Sequence, residues 1–396
     1  MIIPKAERLN HVQEYYFARK LAEVSALNAQ GKNVINLGIG SPDMPPSEAT
    51  IAAMKSSASQ PSGHGYQPYR SLPALREAMA TWYEATFQVQ LNPATEVLPL
   101  MGSKEGVFHI SMAFLNPGDK VLVPNPGYPA YATTARLAGA EPVYYNLSEE
   151  NNWLPDKTEL EELARQGVKL MWINYPHMPT GAQATAETLL WLAELARKHR
   201  FLLINDNPYS LVLPNTAPQS LLSIPDAMDC CLELNSLSKS HNMAGWRVGM
   251  VLGRQDYLDA ILAVKSNIDS GMLQATQHAA IEALHNNDEW HLQRNNEYAG
   301  RRELVYRLLD MLECKYQKDA VGMFVWARVP DHVSDVEAYL DELLYEASVF
   351  LTPGKVFGSQ GERFLRVSLC VTIPQLEESI KRINQHIIST VSHELK

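Results

Sequence analysis

The chain has 396 residues, 46% of them hydrophobic and 20% charged, with a formal net charge of -10; this is the composition of a soluble globular protein long enough for two domains. The acidic balance and the lack of any basic run exclude a nucleic-acid or anionic-membrane surface as the main partner. No apolar run reaches bilayer length, the first twenty residues carry no signal core, and the four cysteines show neither C-x-x-C spacing nor a disulfide framework, so a reducing cytoplasm is the expected location.

In chain order, an N-terminal segment ends in the Pro-rich stretch SPDMPPS (41–47), the expected crossing point between two domains. The apolar run VLPLM then leads into GSKEG (102–106) and the apolar helix VFHISMAFL. Short runs rich in branched and aromatic residues follow: KVLVPN (120–125), KLMWINYP (169–176), RFLLIND (200–206), CCLELNS (230–236) and GMVLG (249–253). These read as buried strands. Between them, TAETLLWLAELARKH (185–199) reads as an amphipathic helix with Leu189, Leu192 and Leu195 on one side. Alternation of this kind predicts an α/β fold, a mostly parallel sheet between helices, with ligands at the carboxyl ends of the strands. After about residue 285 the pattern shifts to a long charged helix, GMFVWARV (322–329), a helix near 334–347, FLRVSLC (364–370) and a last helix from about Pro374. A smaller α+β domain built from residues 286–396 and joined by residues 1–46 is expected beside a large domain of residues 47–285.

Chemistry concentrates at the strand ends. In SLSKSHNMAGWRVG (236–249), Lys239 is flanked by Ser236, Ser238 and Ser240, with Arg247 downstream. A lysine amine can form a Schiff base with a carbonyl cofactor, while hydroxyls and a guanidinium hold its phosphate. Asp206 closes an apolar run, so its carboxylate needs a cationic partner, such as a protonated pyridine nitrogen, and Tyr209 three residues on could donate to a phenolate oxygen. GSKEG places Ser103 at a helix N-terminus, an anion site, and the chain has neither a nucleotide P-loop nor G-x-G-x-x-G. Tyr128 sits in the rigid turn PNPGYPAY, and Arg366 stands inside a strand, where it needs an anion. Each of these taken alone also fits a structural role: Asp206 as a helix cap, the tyrosines as packing, Arg366 in an internal salt bridge or on an exposed edge, S-x-S-K as a surface loop.

Taken in order, NLGIGSPD, GYQPYRSLPALREAM, GSKEG, PNPGYPAY, P-T-G, DNPY, S-L-S-K, G-W-R-V-G and FLRVSL resemble the class I/II, fold-type I, pyridoxal-phosphate aminotransferases over nearly the whole chain. GSKEG, DNPY and KSNIDSG (265–271) look most like the branch with diaminopimelate and alanine/aspartate aminotransferases. The resemblance implies pyridoxal 5'-phosphate as cofactor, a large domain with a seven-stranded-type sheet, and a homodimer whose active site lies at the subunit interface. It further implies that Lys239 carries the cofactor and the proton, Asp206 pairs with the ring nitrogen, Tyr209 with the phenolate oxygen, and Tyr128 stacks on the ring. Phosphate contacts map to Ser103, Lys104, Ser236, Arg247 and, from the other subunit, Tyr66. Arg366 and the backbone at Ile39 and Gly40 hold the substrate carboxylate. Tyr15 or Tyr16, Lys104 and Asn267 are candidates for the side-chain pocket, across the dimer in the case of Asn267.

One departure stands out. Where the family has Asn before Pro-Thr-Gly, this chain reads YPHMPTG, with Met178 in that place and His177 before it. Methionine cannot donate to the phenolate, so either His177 reaches the ring or Tyr209 is its protein donor. The implied activity is transfer of an amino group from an L-amino acid to a 2-oxo acid by ping-pong turnover. The alternative is carbon–sulfur β-elimination, which begins from the same lysine-bound cofactor.

Overall fold

The computed structural model describes residues 2–12 and 14–394. Seven strands form the main sheet: β1 (Val97–Leu100), β2 (Lys120–Asn125), β3 (Glu141–Asn146), β4 (Val168–Ile173), β5 (Leu202–Asp206), β6 (Cys231–Ser236) and β7 (Gly249–Gly253). Their order across the sheet is β1-β7-β6-β5-β4-β2-β3, and β7 alone runs antiparallel to its neighbours. The five apolar runs read from the sequence are all strands of this sheet. The two unread strands are its edges: β1 contains Pro99 and β3 contains Pro142 and exposed Tyr144, both tolerable where one side of the ladder has no partner.

Successive residues of the inner strands point to opposite faces, so the sheet carries a separate core on each side. Leu170, Trp172, Ile204, Leu232 and Leu234 pack on one face, and Met171, Ile173, Leu203 and Cys231 on the other. The helix expected from 185–199 spans Ala186–His199; the Thr185 side chain caps it by accepting from the Thr188 N–H, and Leu189, Leu192 and Leu195 are buried.

The C-terminal third builds a second, four-stranded sheet in which Phe324–Arg328 pairs antiparallel with Phe364–Ser368, Trp326 opposite Arg366. Strand Phe364–Ser368 is interior to this sheet and buried on both faces, so Arg366 has no solvent edge to use. Near the N-terminus, Ile35–Asn36 pairs parallel with Val349–Phe350, which brings the segment Leu37–Gly40 against the second sheet. The long charged helix is Asp288–Met311, and Ile373–Glu394 is the last. No helix among the described residues is long and apolar enough to cross a membrane.

Candidate active site

Side chains following the carboxyl ends of β1, β2, β4, β5 and β6 converge with Arg366 of the second sheet on one cavity of about 350 Å³. Lys239 lies in the one-turn helix Leu237–Ser240 directly after β6, started by Ser236, whose hydroxyl accepts from the Ser238 N–H at 3.1 Å. The lysine ammonium donates to the Gly40 carbonyl. Burial pushes its pKa down to about 8, Cys370 opposing and Arg366 and Arg247 assisting, so the amine is far closer to its nucleophilic form than an exposed lysine.

Asp206, the last residue of β5, accepts from the Tyr131 hydroxyl on Oδ2 at 2.9 Å, while its buried Oδ1 has no partner among the described residues. Burial pushes this carboxyl up to about 6, the Tyr131 bond pulling the other way and Glu233 adding to the rise. Tyr131 is itself fixed by stacking on Trp172, with centroids 4.9 Å apart and planes within 6°. Tyr209 lines the same wall, its phenol raised well above the ordinary range by burial.

The far end of the cavity is an anion cup. Ser103 begins the helix Ser103–Phe114, whose first N–H groups have no helical acceptors. Gly102 enters it at φ +86, and a Cβ there would strike the Arg247 guanidinium. A Cβ on Gly249 would lie 2.7 Å from the Ser103 nitrogen. Both glycines are thus required by close approach. Arg247 donates to the Ala244 carbonyl at 2.9 Å and sits 3.4 Å from the Ser238 hydroxyl. Lys104 places its ammonium 4.6 Å from the centre of the Tyr15 ring, and partial burial with Arg247 nearby lowers its pKa.

At the opposite end, Arg366 is buried under aromatic faces, its guanidinium carbon 3.9 Å from the Phe324 centroid, 4.6 Å from Phe357 and 5.4 Å from Phe17. It donates to the Gly38 carbonyl at 2.7 Å and to the Met178 sulfur at 3.2 Å. Of five guanidinium N–H donors, these account for two, and buried Nε has no acceptor among the described residues. Among the described residues no carboxylate pairs with Arg366, and burial lowers its pKa to about 10. An incoming carboxylate would meet a desolvated cation with donors to spare.

Of the residues expected from sequence, the cavity brings together Lys239, Asp206, Tyr209, Ser103, Lys104, Tyr128, Ser236, Arg247, Met178, Arg366, Ile39, Gly40 and Tyr15. It leaves out Tyr16, His177, Tyr66 and Asn267. His177 is a correction to one expected route to the ring: it is buried outside the cavity, with Nδ1 2.8 Å from the Thr180 hydroxyl, and burial lowers its pKa to about 3. Tyr66 and Asn267 are exposed on the surface. The sequence reading missed Phe17 and Leu21 of the N-terminal helix, Asn174, Tyr131, Phe324 and Phe357. Asn174 donates to the Asp206 carbonyl at 2.5 Å and accepts from the Met178 N–H at 2.9 Å, tying the ends of β4 and β5 together. Its place immediately after an apolar strand was the available signal.

The residues fit pyridoxal phosphate on their own terms: an amine of lowered pKa, an orphan carboxylate oxygen suited to a ring N–H, and a cup of hydroxyls, helix N–H groups and Arg247 suited to a phosphate. The comparisons agree. Residues 32–383 match the family described as aminotransferase class I and II. The chain is 40% identical to LL-diaminopimelate aminotransferase of Dehalococcoides mccartyi, over 96% of this chain and 97% of that one. It superposes with a TM-score of 0.91 on substrate-bound BacF of Bacillus subtilis, at 34% identity over 97% and 98% of the two chains. Aspartate aminotransferase of Thermus thermophilus with maleate aligns at TM-score 0.90 and 26% identity, over 97% of this chain and all (100%) of that one.

Proposed function

The chain belongs to the class I and II aminotransferases, a pyridoxal-phosphate enzyme family, and from that premise we propose how its own residues divide the work. The bound cofactor supplies an electron sink for charge released at the substrate Cα. Lys239 would be the attachment point and, when freed by substrate, the base: its amine, lowered in pKa by burial, would take up the substrate Cα proton and hold it for return. Asp206 Oδ1 would accept the ring N–H, and the Tyr131 bond to Oδ2 fixes the carboxylate's orientation for it. Tyr209 would donate to the phenolate oxygen without help from His177. Ser103, Lys104, Ser236 and Arg247 would hold the phosphate, Tyr128 would lie against the ring, and Arg366 with the Ile39–Gly40 backbone would take the α-carboxylate. The product is a 2-oxo acid, and a second 2-oxo acid restores the enzyme, giving ping-pong turnover.

The observation that carries this reading is the single cavity that joins an activated lysine, an orphan carboxylate oxygen and an unpaired guanidinium. The purified protein is expected to be yellow and to bleach on adding an L-amino acid without keto acid. In Lys239→Ala the bleaching half-reaction is expected to slow by about 10⁴-fold, with some cofactor still held. Undiminished turnover in that variant overturns the assignment.

The same reading places the enzyme as a homodimer. Tyr66, Tyr69, Ile268 and Leu273 are large apolar side chains exposed on this protomer, and the two segments that carry them touch: Gln67 lies 3.4 Å from Gln274, and the Leu72 N–H donates to Gln277 at 2.7 Å. A patch of this kind supports a subunit interface, from which Tyr66 and Asn267 serve the partner's cavity. We divide the chain into a large domain, residues 47–285, and a small one, residues 1–46 with 286–396, supported by the pairing of Ile35–Asn36 with Val349–Phe350. A cytoplasmic location accords with four free, buried cysteines.

A further inference from the structure

The charges lining the cavity are unbalanced. Lys104, Lys239, Arg247 and Arg366 face a single carboxylate, Asp206, among the described residues. The aminotransfer reading assigns all four cations: Lys239 to the amino group, Lys104 and Arg247 to the phosphate, Arg366 to the α-carboxylate. Lys104 sits beside the anion cup with its ammonium over the Tyr15 ring. The wall left for a substrate side chain is formed by Tyr15, Phe17, Leu21 and Ile39. Phe17 and Leu21 are four residues apart on the helix Tyr16–Ala29 and so share one face, which the cavity-lining contacts show to be the face over the site. Phe17 is buried, while Leu21 is 42% exposed and closes the wall from outside.

We propose that the amino donor carries an uncharged, apolar or aromatic side chain that packs on this wall. The inference rests on the aminotransfer reading and goes beyond it, because the 40% identical relative named above carries a different substrate in its name. A diaminopimelate donor would bring a distal ammonium and a distal carboxylate together; among the described residues the cavity offers the ammonium no carboxylate besides Asp206, and its four cations already have other partners in the aminotransfer reading. An unpaired charge in such a site is strongly disfavoured. An apolar side chain instead removes its own surface and that of Phe17 and Leu21 from water.

The test is a single-turnover bleaching assay on the yellow holoenzyme with L-leucine, L-methionine, L-phenylalanine, L-glutamate, L-lysine and LL-diaminopimelate, one at a time and without keto acid. The best apolar donor is expected to exceed LL-diaminopimelate and L-lysine by at least about tenfold in second-order rate, the scale set by a methylene or two in a pocket. Faster bleaching by LL-diaminopimelate, L-lysine or L-glutamate than by every apolar donor overturns the inference and leaves aminotransfer intact. No bleaching by any L-amino acid overturns aminotransfer, and the inference with it. Leu21→Asp, at a half-exposed site where the fold tolerates a charge, is expected to move the leucine-to-diaminopimelate rate ratio by about tenfold toward diaminopimelate. An unchanged ratio in that variant counts against the wall as the side-chain site.

Discussion

The two ends of the cavity solve the same problem, holding an anion, in opposite ways. The phosphate end spreads the load over helix N–H groups, serine hydroxyls and an exposed Arg247 that keeps a carbonyl acceptor, Ala244, of its own. The carboxylate end concentrates it in one guanidinium, desolvated under Phe17, Phe324 and Phe357 and short of acceptors. Many modest contacts suit a ligand that stays, because losing one leaves the rest. One strong, under-satisfied cation suits a ligand that comes and goes, since its partner must be both tightly recognised and released.

That contrast is open to direct attack. Arg366→Ala is expected to lower kcat/KM for the amino donor by about 100-fold or more, the scale of truncating a buried charge pair, with cofactor occupancy unchanged by absorbance. If occupancy fell in step, the two ends would not be independent. The pH dependence of cofactor capture by the cofactor-free protein addresses the centre. With Lys239 at about 8, its neutral fraction grows with rising pH below that value, so the rate of covalent capture should climb about tenfold per unit and level off above pH 8. A rate still climbing near pH 10 would show an ordinary lysine. Arg247→Ala, at the distributed end, is expected to weaken cofactor binding by only about tenfold, read from the dissociation constant, while KM for the donor at full occupancy stays put. Smallest of all is Met178→Asn: an amide oxygen holds Nη1 of Arg366 more firmly than a thioether does, so KM for the donor should rise by about threefold.

The phosphate end was legible in the sequence because its parts are local. Ser236, Ser238, Lys239 and Arg247 fall within one short stretch, and Ser103 announces itself by the helix that follows. Arg366 was also legible, since a charge within an apolar strand has few explanations. The aromatic cage around it was not. Phe17, Phe324 and Phe357 come from three separate elements and look like any core residue until tertiary packing brings them to one guanidinium. His177 shows the converse: adjacency to Met178 in sequence made it a candidate, but the turn to Thr180 engages its ring outside the cavity. The strands were legible where the branched and aromatic run is unbroken and went unread at the edges: Val97–Leu100, which is buried but interrupted by Pro99, and Glu141–Asn146, where Pro142 and exposed residues dilute the pattern.

The strip Gly38–Gly40 carries a consequence of its own. Its glycines lie so close to Phe350 and Phe324 that no side chain fits at either position, and its carbonyls receive Arg366 at Gly38 and the Lys239 ammonium at Gly40. A short piece of backbone is therefore a common terminal for the group that recognises the substrate and the group that reacts with it. Both contacts end on main-chain oxygens that no side-chain replacement can delete, so what evolution can adjust there is the strip's position, and any movement of it is registered at recognition and reaction together.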